Sequence, residues 1–249
     1  MRHIPENLRE GYSMSGKVDL IDFYFPTGPD RTYLNYSEAF VNTFVEKAKN
    51  KETMHYPETD AWLYETLNKY PVNGKNVLII GSEEPCYEGV AIQYGAEKVT
   101  MVEYQRVTTD HPKMITMTVD ELSKRNDQYD VAISISSVEH SGLGRYGDPL
   151  DPDGDLKAMK DLYNNIKPNG ICFLSVPMGV DQVLWNAHRV YGRHRFPLLI
   201  EGFKIIDQFG LIDSDFDVNE WDKRLSGKMP HRDGVSGGAH QPIIVLQKI

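Results

Sequence analysis

His140 and His188 are the side chains of this sequence best suited to moving a proton near neutral pH. His140 lies in a polar, glycine-rich stretch, Ser136-Ser137-Val138-Glu139-His140-Ser141-Gly142-Leu143-Gly144-Arg145-Tyr146-Gly147-Asp148-Pro149. His188 lies in Trp185-Asn186-Ala187-His188-Arg189-Val190-Tyr191-Gly192-Arg193-His194-Arg195. An imidazole in such a place can take the proton of a substrate hydroxyl as charge develops on its oxygen. The second stretch sets three arginines and two histidines within residues 188–195 of a chain with net charge -9. Guanidinium forks hold phosphate or carboxylate through charge-assisted bonds. Arg145, Arg189 and Arg193, with Tyr146 and Asn186 beside them, are therefore the candidate contacts to a small, polar, anionic substrate. The competing reading makes the basic stretch an exposed strand paired with nearby acids, and makes each histidine structural.

A second set of residues has the spacing of a nucleoside site. The loop Gly81-Ser82-Glu83-Glu84-Pro85-Cys86-Tyr87-Glu88-Gly89 follows the apolar run Val77-Leu78-Ile79-Ile80, and Glu103 closes a second apolar run 22 residues after Gly81. A glycine there lets the backbone turn tightly against a ligand. An acid at that distance accepts hydrogen bonds from both hydroxyls of a ribose. The loop lacks the G-x-G-x-x-G cradle of a pyrophosphate, and Glu83, Glu84 and Glu88 would repel phosphate and suit a cation. S-adenosylmethionine, with a sulfonium, an ammonium and no phosphate, fits better than a dinucleotide. Gly81, Ser82, Glu103, Tyr104 and Ser137 make up the expected cofactor contacts. Asp120 joins them as an acceptor for the adenine amino group, or serves as a helix N-cap.

Metal chemistry has less support. Asp148-Pro149-Leu150-Asp151-Pro152-Asp153-Gly154-Asp155 does not match the calcium-loop pattern, and Asp153 or Asp155 is expected to cap the following helix. Two cysteines, Cys86 and Cys172, make neither a disulfide framework nor a zinc cluster. Cys172, in an apolar run, reads as a small buried hydrophobe. No metal is expected, and magnesium at the aspartates stays open as the alternative.

The elements that must position these residues alternate in type. Apolar runs at Val77–Ile80, Val99–Val102, Met114–Thr118, Val131–Ile135 and Ile171–Val176 read as buried strands. Helices are expected between them, around residues 89–95, 120–124 and 155–166. This predicts an α/β, Rossmann-like, doubly wound and mostly parallel sheet. Two late runs, Phe203–Ile206 and Pro242–Gln247, suit an antiparallel edge strand. Before the sheet, residues 1–74 read as an N-terminal helical cap segment on a catalytic domain at 75–249. The segment has a turn at Pro26-Thr27-Gly28-Pro29-Asp30, an N-cap at Ser37 before Phe40, Val41, Phe44, Val45 and Ala48, and a helix over 60–70.

Composition narrows the class further. The chain is 40% hydrophobic and 25% charged over 249 residues, enough for one large domain with a substantial core. Its acidity disfavours nucleic-acid binding, which needs cations to displace phosphate counterions. No run approaches the roughly 18–20 apolar residues of a membrane span, and no apolar signal core follows Met1. A cytoplasmic location is expected.

The segments Val77–Ser82 and Gly95–Tyr104 resemble the first two motifs of class I S-adenosylmethionine-dependent methyltransferases. Ala132 to Gly154, Val176-Pro177 and Trp185–Gly192 resemble a narrower methyltransferase-like group, domain of unknown function 268, often associated with surface-glycan gene clusters. The resemblance spans roughly Asn76 to Phe203. It implies methyl transfer from S-adenosylmethionine to a sugar or other small polar acceptor, with cofactor roles carried to Gly81 and Glu103. The first loop is less glycine-rich than the class I pattern. Two other readings remain: a nicotinamide-dependent sugar-modifying enzyme, and a non-catalytic binding or regulatory module.

Overall fold

In the computed structural model, the described residues are 3–24, 34–125, 127–211, 231–232, 235–236 and 240–249. The turn expected at 26–30 lies outside them. Seven strands form the central sheet: β1 (Asn76–Ile80), β2 (Lys98–Glu103), β3 (Met114–Thr118), β4 (Tyr129–Ile135), β5 (Ile166–Ser175), β6 (Phe203–Phe209) and β7 (Ile243–Lys248). Their order across the sheet is β6-β7-β5-β4-β1-β2-β3. All pairings from β3 to β5 are parallel, and β7 runs antiparallel to both β5 and β6. The antiparallel strand thus sits one place in from the edge, inserted between β5 and β6.

Side chains alternate across the pleat, so each strand feeds two cores. Val77, Ile79, Val131, Ile133, Phe173 and Val245 pack on one face. That face is covered by α2 (Glu38–Lys49), α3 (Pro57–Lys69) and α4 (Cys86–Gln93). Leu78, Ala132, Cys172, Leu174 and Leu246 pack on the other. Residues of α5 (Val119–Ser123), α6 (Gly154–Asn165) and α7 (Phe196–Leu199) close that side. Helices on both faces explain the unbroken apolar texture of the central strands. Cys172 is fully buried, as its surroundings in the sequence suggested.

Ser37 caps α2, its hydroxyl accepting from the Phe40 amide. Phe40 itself is exposed, while Val41, Phe44 and Ala48 face the core. Helix α3 begins three residues earlier than its apolar spacing indicated, because Pro57 occupies its first turn, where a missing N–H costs nothing. Gly89 lets α4 lie against α2: a β-carbon there would come within 2.6 Å of Phe44 Cβ.

Chain before the sheet is woven into the rim. Helix α1 (Glu6–Tyr12) brings the Tyr12 hydroxyl to the Gly142 carbonyl, 2.5 Å away. Asp19–Ile21 pairs with Gln182–Leu184, which pairs in turn with His188–Val190. Leu34–Tyr36 pairs with Val107–Thr109 just beyond β2. No helix among the described residues is long and apolar enough to cross a membrane.

Candidate cofactor and active site

Strands β1 and β4 are neighbours in the sheet, but the chain leaves them toward opposite sides. Their carboxyl ends form the switch point at which open α/β sheets bind ligands. A cleft opens there, with about 1030 Å³ of empty space including its mouth. Gly81, Ser82, Glu103, Tyr104, Ser137, His140 and Tyr146 all line it, so the two groups of residues separated in the sequence share one cavity.

Gly81 makes this convergence possible. It adopts φ +77°, a left-handed conformation that a β-carbon disfavours. A β-carbon would also fall 1.9 Å from the Ser137 hydroxyl. The β1 and β4 loops therefore touch through the missing side chain. Ser136, next to Ser137, carries the uncommon φ of +50° at the end of β4, the kind of strained backbone that clusters at functional sites.

The cleft has a polar end and an apolar end. Val102, Val107, Val119 and Leu122 supply apolar walls beyond β2 and β3. Among the described residues, three carboxylates line it, Glu83, Glu103 and Asp161, and no lysine or arginine does. Glu103 ends β2, and its Oε2 accepts from the Tyr104 amide at 3.1 Å. The buried Ser82 hydroxyl faces Glu88 and favours its charged form, without a hydrogen bond of good geometry. Beneath the loop, Glu88 is wholly buried with neither carboxylate oxygen partnered, and burial pushes its pKa up to about 8.

The polar end is a chain of proton-bearing groups. The Tyr56 hydroxyl donates to Ser136 Oγ at 3.0 Å, and Ser136 Oγ donates to Glu139 Oε1 at 2.8 Å. Glu139 is fully buried, and its other oxygen has no partner. Burial pushes its pKa up to about 7, against the opposing influence of the Ser136 hydrogen bond and Arg145. His140 Nδ1 lies 2.6 Å from the Ala187 carbonyl, which can only accept, so Nδ1 carries the proton. That leaves Nε2 as a lone pair, 3.6 Å from Glu139 Oε1. Burial and the neighbouring Arg145 push the His140 pKa down to about 3, keeping the ring neutral. His188 stands beside it with ring centroids 6.2 Å apart, outside the cleft lining, and its buried Nε2 is unpartnered. Burial lowers its pKa to about 4.

Several expected contacts have other tasks. Asp120 is exposed, pairs with Lys124 at 2.5 Å, and does not line the cleft. Its helix is capped by Thr118 through a reciprocal bond pair with Glu121, so Asp120 is not the N-cap either. Arg189, expected to hold an anionic substrate group, is 1% exposed. Its guanidinium donates to the carbonyls of Glu139, Ser141, Asp151 and Pro152. Asp155, expected as a helix cap, is instead the buried counter-ion of Arg189 and Arg195 and accepts from the Tyr191 hydroxyl. Burial opposes its ionisation, yet the two guanidinium groups hold its carboxyl below the usual carboxylate range. Two of the three arginines of the basic stretch are thus an internal brace. Asn186 is buried and Arg193 exposed, and neither lines the cleft. Arg145 does not line the cleft either; it stacks 5.0 Å from the ring of Tyr146, which does, and donates to the Ala187 carbonyl. Asp148 accepts from the amides of Gly142, Gly144 and Tyr146, which fixes the loop carrying both.

Glu139, Asp161 and the walls Val119 and Leu122 were not singled out by motif. Glu139 adjoins His140, so its neighbourhood was visible; its burial was not.

Residues 74–249 match the family described as Caenorhabditis protein of unknown function, DUF268. No curated protein sequence matches significantly. Among solved structures, the chain is similar to 1,6-didemethyltoxoflavin-N1-methyltransferase from Burkholderia thailandensis, which holds 1,6-didemethyltoxoflavin and S-adenosylhomocysteine. That match has 13% identity, TM-score 0.49, and covers 84% of this chain and 88% of that one. An S-adenosylmethionine dependent methyltransferase from Mesorhizobium loti gives 11% identity, TM-score 0.47, and coverage of 75% and 98%. The cyclase SpnF gives 13%, 0.46, and 84% and 92%. Likeness at this distance assigns no activity, and one of the three is not named as a methyltransferase.

Proposed function

The chain belongs to the DUF268 family and has a class I methyltransferase-like fold, and from that premise we propose that it is an S-adenosylmethionine-dependent methyltransferase acting on a hydroxyl of a small polar acceptor. The observation that carries this reading is the charge of the cleft: among the described residues that line it are three carboxylates and no lysine or arginine. Such a site repels the phosphates of a nicotinamide dinucleotide and favours a cationic adenosine derivative. The left-handed backbone of Gly81 and the uncommon φ of Ser136, both at residues lining the cleft, also fit a ligand-binding turn. Glu103 would hold the ribose, Val102, Val107, Val119 and Leu122 the base, and Gly81 and Ser82 the amino-acid portion. When bound, S-adenosylmethionine supplies an electrophilic methyl group.

The chain's own groups manage the acceptor proton. His140, which lines the cleft, is held in one tautomer by Ala187, leaving Nε2 free to accept a proton. A ring with so low a pKa is a weak resting base. Glu139 at 3.6 Å, half-ionised near pH 7, stabilises the proton that Nε2 takes. Tyr56 and Ser136 orient the carboxylate. Tyr146, which lines the cleft, with Arg145 stacked behind its ring, suits a polyhydroxyl acceptor carrying negative charge, and a sugar in glycan biosynthesis is the acceptor class the family resemblance favours. Incubation with methyl-labelled cofactor and a panel of sugar nucleotides and glycosides tests this. Label transfer to a panel member supports it, and tight cofactor binding with no transfer favours a non-catalytic module.

A further inference from the structure

We propose that His55, Glu84 and Cys86 form a binding site for a zinc-class divalent cation on the outer side of the cofactor loop. One donor atom from each residue lies within 4.8 Å of the other two. Cys86 Sγ and His55 Nε2 are 3.3 Å apart, a spacing that two ligands on one metal naturally take. Cys86 is buried, whereas His55 and Glu84 are exposed. A cation therefore has an entry path, and a position for water remains open.

The donors are positioned by the surrounding chain. The carboxylate of buried Asp60 accepts, through Oδ2, the amides of Met54, His55 and Tyr56 at 2.7, 3.0 and 3.0 Å. Its other oxygen accepts from the Tyr87 hydroxyl at 3.2 Å. This locks the turn that presents His55. On the other side, the Cys86 amide donates to the Glu84 carbonyl at 2.7 Å across Pro85. Binding then costs little reorganisation of the backbone, which favours affinity.

Donor chemistry chooses the ion. Thiolate, imidazole and carboxylate together suit zinc, with water completing a tetrahedron. Magnesium and calcium prefer all-oxygen shells. A cation here would join the connection before α3 to the loop after β1. Each partner segment already reaches the cleft: Tyr56 donates to Ser136, and Glu83 is part of its lining. The site would brace the cleft mouth, and it stands independently of methyl transfer.

Tag-free full-length protein, stripped with a chelator, is titrated with Zn2+ against a chromophoric indicator and with Co2+ by absorption. The expected result is one equivalent of Zn2+ and a thiolate-to-cobalt charge-transfer band. His55→Ala and Glu84→Gln, both at exposed positions, should each weaken Zn2+ by about tenfold or more. Cys86→Ser should abolish the band. Zn2+ should raise the melting temperature of the wild type, and raise that of the variants less. Absence of the band, or equal Zn2+ affinity in wild type and His55→Ala, overturns the proposal, the latter by placing the ion elsewhere.

Discussion

Arg189 donates from Nη1 to the main-chain carbonyl of Glu139 at 3.2 Å, joining the buried brace to the turn that presents the acid and His140. The same nitrogen reaches the Ser141 carbonyl at 2.6 Å, so the turn is gripped on both sides of the histidine. Arg189→Met would orphan these carbonyls and leave Asp155 with Arg195 as its remaining guanidinium partner. Breaking a buried pair from one side costs about 3–5 kcal/mol. Urea denaturation should show a loss of that size, and Arg189→Lys should recover little, because a single ammonium cannot span four carbonyls.

Methyl transfer, in whichever acceptor responds, should accelerate as pH rises through about 7, where Glu139 ionises. Glu139→Gln should lower kcat by about 100-fold, leave cofactor affinity nearly unchanged, and flatten that limb of the profile. A retained limb near pH 7 in the variant would assign the ionisation to another group.

Gly81→Ala tests the contact between the two loops. The substitution meets an unfavourable φ, which costs about 1–2 kcal/mol, and a collision with Ser137. Cofactor binding should fall with stability. Pairing it with Ser137→Gly should restore the part due to collision and not the part due to φ, read as an intermediate melting temperature.

Glu88 makes stability depend on pH in a known direction. Its folded pKa, about 8, lies above the ordinary glutamate value of 4.5, so between those values the native state holds more protons than the unfolded one. Stability from this group is present below about pH 4.5, declines as pH rises to about 8, and then levels off. Glu88→Gln should change the melting temperature little at pH 4.5 and raise it by at least about 3 °C at pH 8.5. A variant that follows the wild-type pH dependence would show that Glu88 is ionised without penalty.

The sheet was legible because a strand covered on both faces must be apolar throughout, as Val77–Ile80 and Val131–Ile135 are. Gly81 was legible because the turn after β1 demands a residue without a β-carbon, and the place of Glu103 at the end of β2 because the apolar run before it marks the strand. The basic stretch misled because a sequence shows charge and not burial. Arg189 and Arg145 look alike in one dimension, yet one is 1% exposed and bound to carbonyls, while the other stays beside the cleft. Of the two expected caps, Asp153 takes the N-cap position of α6, while the counter-ion role of Asp155 was hidden for the same reason, since its partners Arg189 and Arg195 lie 34 and 40 residues away in the chain. Glu139 escaped notice because its raised pKa comes from burial that only the fold supplies.

The central claim is that the acidic cleft holds a cationic adenosine derivative through Glu103. Calorimetric titration of S-adenosylmethionine into wild type and Glu103→Ala tests it most directly, with NAD titrated in parallel. The account predicts one-to-one binding to the wild type, no measurable NAD heat, and an affinity loss of about 10- to 100-fold in the variant, the range for a hydrogen bond to a charged group. Equal affinity in the two proteins, or tighter binding of NAD than of S-adenosylmethionine, would contradict it.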